Sequence, residues 1–174
     1  MIILYIILGI VALFLLAGLV ISKDMSASRE IIITKPVAEV FNYIKYLKNQ
    51  QNYSKWATLD PAMKNEFRGT DGEPGFVNHW VGNKKVGEGE QEILRIEEGK
   101  TLYTELRFIK PFKSQAKSSI TTEAVDATKT KVTWGFESKM NYPMNVMKLL
   151  MNLEKSIGDD FATGLSNLKT VLEK

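Results

Sequence analysis

The sequence predicts an α+β fold in which a curved antiparallel sheet wraps around a long C-terminal helix, preceded by one transmembrane helix. Residues 1–21 carry no charged side chain. Residues 63–140 alternate between apolar and polar side chains, with Gly, Pro and Asn between the runs, and apolar residues after Pro143 recur at steps of three and four. These patterns are typical of a membrane span, an antiparallel sheet and an amphipathic helix, respectively.

The apolar N-terminal segment ends abruptly at Ser22-Lys23-Asp24. A helix of this length, at about 1.5 Å per residue, reaches the roughly 30 Å of a bilayer's hydrocarbon core. A cleaved secretory signal is the alternative. The segment has no basic start and no Ala-x-Ala site follows it, which favours an uncleaved anchor over residues 1–22.

The charges that flank the anchor predict its orientation. Lys23, Arg29 and Lys35 follow the apolar segment, and no charged side chain precedes it. Because positive residues tend to stay on the cytoplasmic side, we expect a single-pass membrane protein with a cytoplasmic domain. An exported domain remains the alternative.

The rest of the chain predicts a short spacer, residues 23–27, and one domain, residues 28–174, since no linker-like segment interrupts it. Cysteine is absent and His79 is the only histidine, which excludes thiolate catalysis and disfavours a metal site or other cofactor. The net charge of +3 comes from interspersed acids and bases, without the basic stripe that nucleic acids require. The oligomeric state is left open.

The domain begins with a predicted strand over Ser28 to Thr34. Pro36 suits the first turn of a helix, and apolar residues then recur at helical spacing as far as Leu47. A second short helical turn is expected around Asn52 to Trp56, ended by Asp60-Pro61.

The middle of the chain predicts an antiparallel sheet, because short turns join runs that alternate between apolar and polar residues. The candidate strands are Lys64 to Arg68, Phe76 to Val81, Val86 to Ile96, Leu102 to Ile109, Gln115 to Val125 and Lys131 to Lys139.

After Pro143, the spacing predicts one amphipathic helix of roughly eight turns, from Val146 to Leu172. Gly158 and Gly164 lie inside it, where we expect either close packing against another element or a break into two helices.

A cavity is expected between the sheet and this helix. One face of the strand Gln115 to Val125 carries small side chains, which cannot fill a concave surface by themselves. The alternative is a filled core, in which Trp80, Trp134, Phe108 and Phe136 from neighbouring strands occupy the space.

Several strings resemble those of a known family. They are Pro36-Val37-Ala38-Glu39-Val40-Phe41, Trp56 followed by Asp60-Pro61, His79-Trp80-Val81-Gly82-Asn83, Val86-Gly87-Glu88-Gly89, Phe108-Ile109-Lys110-Pro111-Phe112, Thr130-Lys131-Val132-Thr133-Trp134, Gly158-Asp159-Asp160-Phe161 and Gly164-Leu165-Ser166-Asn167-Leu168-Lys169. Together they resemble the polyketide cyclase/dehydrase-like branch of the START/Bet v 1 superfamily, the SRPBCC domains. The resemblance implies the helix-grip fold and an apolar pocket. It does not imply one reaction, because members bind lipids, sterols, polyketides or hormones and some are enzymes.

Candidate catalytic groups are few. His79 precedes Trp80 in a strand, so the two side chains point to opposite faces, and a core-facing Trp80 leaves His79 in solvent. Glu88, Glu90 and Glu92 share one strand face, which we expect to be the solvated one. Asp159 and Asp160 are expected on the polar side of the last helix, opposite Ile157 and Phe161.

The leading hypothesis is a membrane-anchored domain that binds a lipid or another hydrophobic small molecule, isoprenoid-like or polyketide-like, by apolar burial. The predicted pocket residues are Phe41, Trp56, Phe76, Trp80, Leu106, Phe108, Ile120, Trp134, Phe136, Met147, Phe161 and Leu165. The first alternative is a cyclase or dehydratase that uses an inward Glu88 or Glu90 with His79 or a tyrosine. The second is a ligand-free interaction module, with Gly18 and Ser22 as a small-residue pair for helix association.

Overall fold

The computed structural model describes residues 2–174, beginning with helix α1 (Ile2–Val20). Its side chains are exposed along almost the whole length, and Gly18 is its buried residue. By length and composition, α1 meets the requirement for either a membrane span or a signal sequence.

The remaining chain forms an α+β domain, which confirms the predicted fold. The helices are α2 (Val37–Ile44), α3 (Lys55–Thr58), α4 (Met147–Leu150) and α5 (Leu153–Leu172), with 3₁₀ turns at Leu47–Asn52 and Met144–Val146. The strands are β1 (Asp24–Ile33), β2 (Lys64–Arg68), β3 (Val77–Val81), β4 (Glu88–Glu97), β5 (Thr101–Lys110), β6 (Ser114–Asp126) and β7 (Lys129–Lys139).

The strands form one antiparallel sheet in the order β1-β7-β6-β5-β4-β3-β2. Hairpins join β2 through β7 in sequence, and β1 closes the far edge by pairing with β7. Alternate side chains of each strand face α5 and the short helices on the concave side, and the others form the convex side.

Strand β1 begins at Asp24, earlier than the predicted start at Ser28. Its ladder with β7 runs from the Asp24–Lys139 pair to the Ile33–Thr130 pair. Residues 24–27, predicted as a spacer, are therefore part of the sheet. This extension of β1 is not evident from the sequence pattern, because residues 24–27 are mostly small or polar. Their backbone hydrogen bonds to β7 do not require apolar side chains.

The predicted long C-terminal helix is present as α5, but its predicted start at Val146 was wrong. The chain leaves the helical conformation at Met151, whose φ and ψ are −124° and 120°, and α5 starts after Asn152, whose side-chain oxygen accepts a hydrogen bond from the Lys155 N–H. Gly158 and Gly164, where a break was considered, lie within the continuous helix.

The segment before α5 instead contacts the C-terminal end of α1. The Asn145 side-chain amide donates hydrogen bonds of 2.8 Å to the carbonyl oxygens of Gly18 and Ile21. Gly18 is covered by Tyr142, because a Cβ there would lie 2.9 Å from the tyrosine ring. Gly18 therefore has an intrachain packing role, and α1 is attached to the domain at this point.

The main core lies between α5, α2 and the concave face of β1, β6 and β7. Its buried members include Ile33, Phe41, Trp134, Leu165 and Leu168. Gly164 lets α5 approach the sheet, since a Cβ on it would lie 2.9 Å from Cζ3 of Trp134. Trp134 cannot move away easily because Tyr53 and Phe161 pack on it.

We therefore expect Gly164→Ala to destabilise the protein. Alanine favours a helix by about 1 kcal/mol relative to glycine, but overpacking against a fixed ring costs about 1–3 kcal/mol. Denaturant unfolding of the full-length protein in detergent should show a lower free energy of unfolding. Ser166→Ala, on the exposed side of the same helix, is the control and should leave it unchanged or slightly raised; a stabilising Gly164→Ala would contradict the close approach.

Candidate functional site

A cavity of about 250 Å³ lies between the concave face of the sheet, α3 and the first half of α5. Strands β2 to β7 supply its floor, and Trp56 and Ala57 from α3 with Ile157 and Phe161 from α5 supply its cover. The cavity predicted from the small side chains of β6 is therefore present, and Ser118 of that strand lines it.

Aromatic rings form most of the apolar wall. Trp134 and Phe161 stack with their ring centroids 4.7 Å apart, and Phe136 contacts Phe161 edge-on at 6.4 Å. Trp80 and Phe108 meet edge-to-face at 6.0 Å across β3, β4 and β5. Such rings bury a large apolar area while staying fixed in orientation, which suits a flat or aliphatic ligand.

The structure brings together part of the predicted pocket set. The predicted residues that line the cavity are Trp56, Trp80, Leu106, Phe108, Trp134, Phe136 and Phe161. Phe41, Ile120 and Leu165 belong to the main core, and Phe76 belongs to a second core cluster with Leu47, Ile93 and Leu102. Met147 lies in α4, close to the end of α1 and outside the cavity lining.

A polar patch inside the cavity was not predicted. Asn65 on β2, Asn78 on β3 and Gln91 on β4 line it, and the register sets Asn65 opposite Trp80 and Asn78 opposite Gln91. The alternation of side chains along β3 could have predicted an inward Asn78, because Asn78 is two residues before Trp80 and therefore lies on the same face of the strand. The predictions treated core-facing positions as apolar and passed over the asparagine.

Three polar atoms of this patch have no hydrogen-bond partner within residues 2–174: Asn65 Oδ1, Asn78 Oδ1 and Trp80 Nε1. Asn78 is 9% exposed and Trp80 is 5% exposed. The indole of Trp134, which also lines the cavity, is different because its Nε1 donates a hydrogen bond to Ser118 Oγ at 3.2 Å. An unpaired buried polar atom costs about 1–3 kcal/mol, so this patch is unfavourable for the domain alone.

A charged pair lies at the cavity mouth. Lys55 Nζ of α3 is 2.5 Å from Asp160 Oδ1 of α5, and both residues line the cavity. The hydrogen bond to Asp160 and its negative charge raise the pKa of Lys55. Asp160 was expected on the solvent side of the helix. That prediction was wrong, because Asp160 lies at the edge between the apolar and polar sides and reaches Lys55 across the mouth.

The convex face carries the charged groups considered for catalysis. His79 Nε2 lies 3.5 Å from Glu88 Oε1, and Arg107 contacts Glu90, Glu92 and Glu105. The opposite orientations of His79 and Trp80 are confirmed. An inward Glu88 or Glu90 is contradicted, because the bulge between Glu88 and Gly89 leaves both carboxylates on the convex side.

A larger depression, about 850 Å³, lies at the start of α5. It is open to solvent and lined by polar side chains such as Ser26, Lys117, Glu137 and Lys155. Within residues 2–174, no group of three or more acidic or histidine side chains is arranged to hold a metal ion. The aromatic cavity, whose wall is mostly apolar, is therefore the candidate site.

Comparison with protein families identifies the family of the domain that contains this cavity. The family model described as "Polyketide cyclase / dehydrase and lipid transport" matches residues 24–173, which is nearly the whole domain. The chain belongs to this family. The match confirms the SRPBCC resemblance and starts where β1 starts. No curated protein sequence matches the chain.

Solved structures of three other proteins share the fold. Truncated norcoclaurine synthase from Thalictrum flavum has a TM-score of 0.67 at 9% identity, over 88% of this chain and 96% of that one. A protein from Mesorhizobium loti has a TM-score of 0.61 at 14% identity, over 85% and 96%. A protein from Thermobifida fusca has a TM-score of 0.57 at 19% identity, over 84% and 92%. At these identities the likeness concerns the fold alone.

The convex charge cluster of this family member generates a pH prediction. Burial alone would raise the pKa of Glu90, but hydrogen bonds from Arg68 and Arg107 outweigh it and hold the pKa below its ordinary value of 4.5. A lowered native pKa stabilises the fold above the ordinary pKa, and the stabilisation is lost as the pH falls through the native pKa.

We expect Arg107→Gln to raise the pKa of Glu90 and to shift the acid-unfolding midpoint to higher pH. Circular dichroism between pH 7 and pH 2 would measure the midpoint. Arg95→Gln is the control, since the Arg95 side chain is 61% exposed and contacts Glu97 and the Tyr103 ring, away from Glu90. Equal midpoints for the two variants would contradict the assigned role of Arg107.

Proposed function

We propose that this protein is a membrane-anchored binding domain for a hydrophobic small molecule, with residues 1–22 as the anchor and the family domain as the binding part. The observation that carries the proposal is the apolar cavity walled by Trp80, Phe108, Trp134, Phe136 and Phe161. Binding by apolar burial requires such a cavity and needs no catalytic group.

The cavity volume limits the ligand. At about 250 Å³ it lies just below the roughly 300–1,000 Å³ of typical ligand pockets. A small apolar molecule fits as a whole, and a longer lipid or isoprenoid fits by one end, with the remainder leaving through the mouth between α3 and α5.

Side chains at one end of the sheet support contact between this end of the domain and a lipid bilayer. The start of β1, the end of β7, and the β3–β4 and β5–β6 turns meet at this end, where α1 also attaches. Exposed apolar and basic residues occur together there: Phe112, Leu149 and Leu150, with Lys84, Lys85, Lys110, Lys113 and Lys139. Apolar side chains insert between lipids, and each lysine near an anionic surface contributes about 1 kcal/mol.

The tether favours a ligand that dissolves in lipid. Trp80 and Phe108 lie within a few residues of the strand ends at the same end of the sheet. A tethered cavity meets membrane-dissolved compounds at a high effective concentration. The positive-inside rule, applied to Lys23, Arg29 and Lys35 after the apolar segment, supports a cytoplasmic side for the domain as part of this proposal.

The binding proposal is tested by native mass spectrometry of the full-length protein purified gently from membranes. We expect an apolar compound to co-purify with the wild type and to be lost from Ala57→Trp, which fills the cavity cover. Ala162→Trp, on the exposed side of α5, is the matched control and should retain the compound. Protein that is empty in every preparation, or compound retained equally by both variants, would contradict binding in this cavity.

The anchor has its own test. Intact mass measurement should give a chain that retains residues 1–22, and the protein should stay in the membrane fraction after alkaline carbonate extraction. A shortened, extractable protein would identify α1 as a cleaved signal. Protease digestion of spheroplasts tests orientation, since a cytoplasmic domain stays intact until the membrane is broken.

A second candidate function is catalysis of a proton transfer on the bound molecule. The Lys55–Asp160 pair favours it, because these two ionisable groups lie at the mouth of an apolar cavity. If this function is correct, incubation with the co-purified compound should yield a product, and Asp160→Asn should abolish the product while leaving binding intact. Recovery of unchanged compound from the wild type would exclude this candidate.

A further inference from the structure

The unpaired polar atoms of the cavity point to a specific ligand chemistry. Asn78 and Trp80 are more than nine-tenths buried, and both line the cavity from the same face of β3. Asn78 Oδ1 is an acceptor, Trp80 Nε1 is a donor, and neither finds a partner within residues 2–174. Asn65 Oδ1, across from Trp80 on β2, adds a second unpaired acceptor.

The missing hydrogen bonds are specific to these atoms, because other polar groups of the same cavity are hydrogen-bonded within the protein. Trp134 Nε1 donates to Ser118 Oγ, and Ser118 Oγ donates to the Gly135 carbonyl oxygen. The Gln91 amide, beside Asn78, donates to Thr104 Oγ1 at 3.2 Å. Within the cavity lining, the unpaired buried atoms are thus those on β2 and β3; the fourth such atom of residues 2–174, Asn145 Oδ1, lies beside the end of α1.

We propose that this spot is a subsite for a hydroxyl group, so that the ligand is a neutral amphipathic alcohol with its hydroxyl between Trp80 and Asn78 and its apolar body against Trp134 and Phe161. A hydroxyl accepts one hydrogen bond and donates another, which matches an indole N–H on one side and amide oxygens on the other. This inference rests on the proposed function and names the ligand class for the same cavity.

The charges of the site favour a neutral group over an ionised one. No charged side chain lines the inner patch among the described residues, and at the mouth Lys55 and Asp160 neutralise each other. A buried carboxylate would lack a cation, and a buried ammonium would lack an anion, so either would lose its hydration without compensation.

The first test compares three probes of matched length: 1-octanol, which donates and accepts; heptyl methyl ether, which only accepts; and octanoate, which is anionic. All three tryptophans of the chain, Trp56, Trp80 and Trp134, line the cavity, so intrinsic fluorescence reports its occupancy. Full-length protein in nanodiscs is titrated, with concentrations referred to the free aqueous probe. We expect 1-octanol to bind roughly tenfold more tightly than the ether, the ratio for one net hydrogen bond, and octanoate to bind more weakly than 1-octanol.

The second test uses Asn78→Leu, which keeps the side-chain size and removes the amide. We expect the preference for 1-octanol over the ether to fall to about one, while ether binding is retained. We also expect the melting temperature without probe to rise, because an unpaired buried group has been removed. Thr130→Val is the matched control; it removes a buried hydroxyl outside the cavity lining that donates to the Lys35 carbonyl oxygen, so it should lower the melting temperature and leave the preference unchanged.

The outcomes separate this inference from the proposed function. Equal binding of alcohol and ether to the wild type, or tightest binding of octanoate, overturns the hydroxyl subsite and leaves the apolar cavity as the binding site. A preference that survives Asn78→Leu, or an Asn78→Leu variant that is destabilised as much as Thr130→Val, also overturns it. Binding of no probe, or binding that the cavity-filling Ala57→Phe leaves unchanged relative to Ala162→Phe, overturns both.

Discussion

The packing of α5 on Trp134 is the contact on which the rest of the domain depends. Trp134 is held from one side by the Ser118 hydroxyl, from the edge by Tyr53, and on its face by Phe161. Gly164 lets the helix backbone come close to the ring at one point. The aromatic cavity lies between the first half of α5, α3 and the concave face of the sheet.

The cavity combines two requirements that conflict. An apolar wall stabilises the fold through burial, whereas the unpaired atoms of Asn65, Asn78 and Trp80 destabilise it. Proteins commonly tolerate such a cost at binding sites, because the same groups contribute affinity once a ligand pairs with them. On the convex face, by contrast, the polar groups have partners: the carboxylates around Arg107 are paired within the sheet and remain in contact with water.

Attachment of α1 explains the interruption of the C-terminal helix. The run from Met144 to Met151 has helical spacing, and taken alone it continues the pattern of α5. Its buried residues, Asn145 and Val146, lie at the end of α1. The Asn145 side-chain amide donates hydrogen bonds to carbonyl groups that the end of the helix leaves free. A break at Met151 turns this segment away from the sheet and toward α1.

The sequence by itself determined the class of fold, the strands β2 to β7 within a few residues, and the aromatic residues that form much of the cavity wall. It could do so because these features follow from local periodicity: alternate residues of a strand share a face, whatever the rest of the chain does. Only the tertiary structure decided that Phe41, Phe76 and Leu165 fill core rather than line the cavity, that β1 begins at Asp24, and that Asp160 reaches Lys55. These outcomes depend on how far apart distant segments lie and on which groups find partners there, and no local pattern contains those distances.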